Sequence, residues 1–81
     1  MGELELINAK LDGACCPEDV FGAADYEVRH VFRHLAKSCH EDRNPSQKDL
    51  AQKVSAKLLE LKKIADDRIR DGQWGKKIPL P

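Results

Sequence analysis

Residues 28–39 constrain this chain most. Val28, Val31, Phe32, Leu35, Ala36 and Cys39 recur at i, i+3, i+4, i+7, i+8 and i+11, which makes one apolar stripe of a 3.6-residue helix. Arg29, Arg33 and Lys37 fall on the other side, with His30 and His34 beside them. An amphipathic helix of this length holds together by packing its stripe, so a second apolar face has to cover it. Leu50, Val54, Leu58, Leu61 and Ala65 supply that face at i, i+4, i+8, i+11 and i+15, flanked by Ala51, Leu59 and Ile64. The polar run from His40 to Pro45 joins the two. No alternation of strand type and no internal repeat is visible. The expected fold is all-α: an antiparallel helical hairpin of about residues 24–39 and 46–66, with short flanking helices.

Length and charge narrow the function classes. With 81 residues there is room for one domain and one small core. Fourteen basic and fourteen acidic side chains cancel, so net charge makes no case for nucleic acid or a membrane surface. No apolar run approaches the roughly 20 residues a membrane-spanning helix needs. The opening Met-Gly-Glu-Leu-Glu-Leu lacks the basic and apolar regions of a secretory signal, so a cytoplasmic setting is expected. The three cysteines form no CxxC pair and are expected to be reduced and structural, with Cys39 a small buried hydrophobe.

The remaining boundaries follow from local signals. Leu4, Ile7 and Leu11 sit at helical spacing with Gly13 as a stop, which gives residues 1–14 as a helical N-terminal extension. Pro17, Glu18 and Asp19 open a short helix near 17–22. Before the hairpin, Asp25 is the candidate cap, or else an i+4 partner of Arg29. Ser46 with Asp49 three residues on reads as a capping box for the long helix. Residues 67–71 read as a short terminal helix, Trp74 as a lid on the end of the core, and residues 76–81 as an extended tail or linker. The main domain is thus 15–75.

The run Glu27-Val28-Arg29, Phe32-Arg33, Leu35-Ala36, then His40, Asp42, Arg43, Asn44 and Pro45, resembles the J-domain of DnaJ-type co-chaperones. In that family the second helix has the form E-I-(K/R)-x-A-(Y/F)-(K/R)-x-L-A, followed by His-Pro-Asp-(K/R)-N-P. Val20-Phe21-Gly22 fills the role of the close of the family's short first helix, and only Lys53, Val54 and Ile64 match its third. Glu41 stands where the family has proline. The resemblance implies a J-domain-like helical hairpin that docks its basic helix and loop on a DnaK-type heat-shock chaperone, acting as a co-chaperone. The partner-binding residues it implies are Arg29, His30, Arg33, His34, Lys37, His40, Glu41, Asp42 and Arg43. Proline fixes φ and removes a backbone donor; glutamate restores freedom and sets a second carboxylate beside Asp42. Weak or absent stimulation of the chaperone's ATPase is therefore the expectation. The alternative is an accessory module in a larger protein that binds some other protein.

Other chemistries have less behind them. His30 and His34 lie one turn apart, but no third metal ligand accompanies them, and residue 31 is Val where a zinc-protease motif has Glu. No nucleophile–base pair, phosphate loop or paired carboxylate set emerges, so neither an enzyme nor a cofactor is expected. A small nucleic-acid-binding helical domain ranks third, since the basic cluster is short and has no interleaved aromatics.

Overall fold

The computed structural model describes residues 2–80. Four helices follow one another: α1 (Glu3–Gly13), α2 (Glu18–Phe21), α3 (Glu27–Cys39) and α4 (Lys48–Arg70), with a 3-10 turn at Glu41–Arg43 between the last two. The architecture is all-α, and no strand occurs among the described residues.

The hairpin forms as the two stripes require. Val28, Leu35 and Cys39 of α3 are buried against Ala51, Val54, Leu58, Leu61 and Ala65 of α4. Ser55 of α4 reaches the Cys39 carbonyl, and the Lys62 ammonium lies 5.3 Å from the centre of the Phe32 ring. Later residues of α4 thus meet earlier residues of α3, so the two run antiparallel. α1 packs on the same pair: Leu4, Ile7 and Leu11 are buried in one cluster with the hairpin core. Gln47 donates to the Glu5 carboxylate at 2.5 Å, and the Lys57 ammonium reaches Asn8 at 2.9 Å and Asp12 at 2.7 Å. These pairs rise together along both chains, so α1 lies parallel to α4. Packing draws no boundary at residue 14, because α1 supplies a third wall of the core.

Both helix starts differ from the sequence expectation. Asp25 neither caps α3 nor pairs with Arg29. Tyr26 precedes the helix already in helical conformation (φ −68°, ψ −17°), without a side-chain cap. Glu27 and Val28 bond instead to the carbonyls of Ala24 and Asp25, at 3.1 and 3.2 Å. A cap side chain folds back from an extended residue, and here the turn leaves none. Ser46 likewise makes no cap. A turn closed by Gln47 N–H on the Asn44 carbonyl at 2.9 Å places Gln47 at the cap position, where its side chain goes to Glu5.

The short terminal helix expected at 67–71 is the end of α4. No Gly or Pro interrupts Ala65–Asp71, and the pairs Lys62–Asp66 and Asp67–Arg70 span successive turns. The helix stops at Gly72 (φ 71°), where Gln73 N–H bonds to the Arg68 carbonyl and Gly72 N–H to that of Ile69. This pairing uses up two orphan carbonyls and needs a left-handed residue, which glycine supplies at little cost.

Residues 73–80 run back across the molecule. Trp74 and Leu80 pack against the core, and Leu80 N–H bonds to the Cys15 carbonyl at 2.8 Å. The buried Glu18 carboxylate accepts the N–H groups of Gly75 and Lys77, both at 2.9 Å, while the Arg68 guanidinium donates to the carbonyls of Ile78 and Pro79. The tail turns at Trp74–Gly75, passes through a left-handed Lys77 (φ 53°) and is strapped down by these bonds. Pro81 lies outside the described residues.

Candidate docking surface

α3 orients its basic side chains by burying the opposite stripe. Arg29, His30, Arg33, His34 and Lys37 are all exposed. Among the described residues none of Arg29, Arg33, Lys37 and Arg43 is engaged in an ion pair, so their charges remain available to an external anion. Val31, Phe32 and Ala36 are half-buried shoulders of the stripe.

At the C-terminus of α3 the chain turns sharply, and the carbonyls a helix end leaves open are taken up by side chains. Asn44 Nδ2 donates to the carbonyls of Ser38 at 3.0 Å and His40 at 2.9 Å. Ser55 Oγ donates to that of Cys39 at 3.3 Å. His40 is extended (φ −62°, ψ 140°) and caps the 3-10 turn: its Nδ1 accepts from Asp42 N–H at 3.2 Å and lies 3.6 Å from the Asp42 carboxylate. The turn itself closes through Arg43 N–H on the His40 carbonyl at 3.0 Å and Asn44 N–H on that of Glu41 at 3.1 Å.

Glu41 behaves differently from the sequence expectation. It is half-buried, and its Oε2 accepts from Gln52 Nε2 of α4 at 2.9 Å. The residue expected to slacken the turn is bonded to the long helix, while Asp42 beside it is exposed. His40 stands between two hollows. One, of about 420 Å³, is lined by Ala36, Lys37, His40 and Arg43; the other, of about 300 Å³, by His40, Glu41, Gln52 and Ser55. The structure thus brings the nine candidate residues into one continuous strip, with Glu41 at its inner edge.

Asn44, Gln52 and Ser55 do not stand out in the sequence as residues that shape this strip. Asn44 has a turn-forming side chain next to Pro45, the one local signal among the three. Gln52 and Ser55 lie on α4 with no local signal, because their partners are 11 and 16 residues away.

The cysteines are free thiols. Cys16 and Cys39 are buried, and burial raises both thiols above the usual range, which keeps them protonated and inert. Cys15 is exposed, against the expectation of a structural role. Among the described residues no group of three or more His, Cys, Asp and Glu is placed to hold a metal ion, and His30 and His34 gain no third ligand. Among the described residues no helix is long and apolar enough to cross a membrane.

Comparison with protein-family models, curated proteins and solved structures finds no match to this chain.

Proposed function

We propose that the chain is a divergent J-domain-like interaction module of the co-chaperone type, which docks on an acidic surface of a DnaK-type chaperone and has no catalytic activity of its own. The observation that carries this reading is the unpaired cationic row of α3 running directly into the His40–Asp42 turn. Arg29, Arg33 and Lys37 steer and register the partner, while His40 and Asp42 make the polar contacts at the tip. A row of exposed cations favours a fast, salt-sensitive encounter more than great affinity. Three free thiols, two of them buried, suit a reducing compartment such as the cytoplasm.

Glu41 sets the strength of the activity. Its carboxylate adds negative charge beside Asp42, where the partner surface is itself acidic, so stimulation of ATP hydrolysis is weak. Single-turnover ATP hydrolysis by a DnaK-type chaperone, with and without the 81-residue chain, tests this. The expected result is little or no acceleration by the native chain and a gain with Glu41→Pro at low salt. Acceleration by the native chain equal to that of an ordinary J-domain contradicts the weakened form of the proposal.

A further inference from the structure

We infer that Gln52 is a positioning residue for the His40–Asp42 turn, and that its hydrogen bond to Glu41 does the stiffening that proline does elsewhere in turns of this kind. This rests on the reading of the turn as a docking element. The backbone is the first argument. His40, at φ −62° and ψ 140°, has the extended conformation that a residue before proline is forced to adopt. Glu41 is the first residue of the 3-10 turn, where φ is near −60° and the N–H has no partner inside the turn. The chain therefore follows the path proline would impose, without proline to impose it.

Something else must hold that path. A glutamate samples a wider range of backbone angles, and ordering it before a partner binds costs free energy that proline would have removed in advance. Glu41 Oε2 and Gln52 Nε2, 2.9 Å apart, tie the turn to the second turn of α4. Ser55, almost one helical turn further along, holds the Cys39 carbonyl, and Asn44 holds those of Ser38 and His40. Asn44 and Ser55 fasten the end of α3. Among the described residues, Gln52 is the side chain that bonds to Glu41, the position where proline is missing. The same bond gives the Glu41 carboxylate a donor on α4, so one contact both orders the turn and engages the added carboxylate.

The two roles separate in a set of variants of the full chain: Gln52→Ala, Glu41→Pro, both together, and the exchange Glu41→Gln with Gln52→Glu, which rebuilds the bond with donor and acceptor swapped. Amide hydrogen exchange at Asp42, Arg43 and Asn44 is measured first, since it needs no partner. Gln52→Ala should speed exchange at these amides by about threefold to tenfold, the worth of one side-chain hydrogen bond, with the amides of α1 and the middle of α4 unchanged. The exchanged pair should restore protection, and in the Glu41→Pro chain Gln52→Ala should change nothing. Affinity for a DnaK-type chaperone should follow the same pattern. Equal exchange in the native chain and Gln52→Ala, or an equal loss with proline at position 41, overturns the role of Gln52 even if the chaperone binds. The expected exchange pattern with no chaperone bound by any variant upholds the positioning role and counts against the proposed function.

Discussion

A carboxylate in a small helical protein acts according to what it is bonded to, and four of them here act in three different ways. Glu41 ties a turn to a helix through Gln52. Glu18, buried without a cation partner, is compensated on one oxygen by two backbone N–H groups of the tail. Glu5 and Asp19 carry the acid sensitivity. The Gln47 hydrogen bond holds the Glu5 carboxyl below its usual range, and the Cys15 N–H does the same for Asp19 at 2.9 Å. A carboxyl lowered in the folded state binds fewer protons there than in the unfolded chain. Its stabilising contribution is therefore present above the unfolded value of about 4 and lost as pH falls through the folded one. Gln47→Ala should accordingly lower the melting temperature at neutral pH, and the gap from the native chain should narrow as pH is taken below about 4. A gap that stays constant down to about pH 2 would show that Gln47 stabilises by packing alone.

At the level of elements, α3 divides its residues between a core face and an exposed basic face, and substitutions on the two should behave oppositely. Leu35 is buried against α4, so Leu35→Ala should destabilise the fold by roughly 2–5 kcal/mol. Arg33 is exposed and unpaired, so Arg33→Ala should change stability by less than about 0.5 kcal/mol while weakening partner binding. Thermal melts of the two chains decide it; equal losses would place Arg33 in the core account. The same division explains what could be read in advance. Stripes at 28–39, 50–65 and 4–11 repeat a local period, and every helix they imply is present. The helix starts could not be read, because Asp25 and Ser46 have capping chemistry but sit in turns closed by other backbone groups. The continuity of α4 through Asp67–Arg70 was masked by a run of charges that looked like a separate short helix. The strap joining Glu18 to Gly75 and Lys77 depends on contacts 57 and 59 residues apart, a distance over which no sequence period carries information.

The whole molecule measures 40 × 20 × 17 Å, and the basic strip runs along one side of α3 to the turn at its end. A formally neutral chain thus presents a locally basic side, because the fold gathers Arg29, Arg33 and Lys37 on one face while fourteen acids are spread over the whole chain. Three helices pack behind that side: α4, α1 and α2. That the basic residues of α3 share one exposed face could be foreseen, since helix period points to it. The bonds from Gln52 and Ser55 to the turn and the helix end could not, since they depend on side chains of α4. The most direct test of the central claim is a chemical-shift titration of the isotope-labelled 81-residue chain with an ATP-loaded DnaK-type chaperone at low salt. The account predicts perturbations centred on Arg29, Arg33, Lys37, His40 and Asp42 that fade as ionic strength rises towards about 0.15 M and beyond. No perturbation at any salt concentration, or perturbations confined to α1 and the tail, would contradict it.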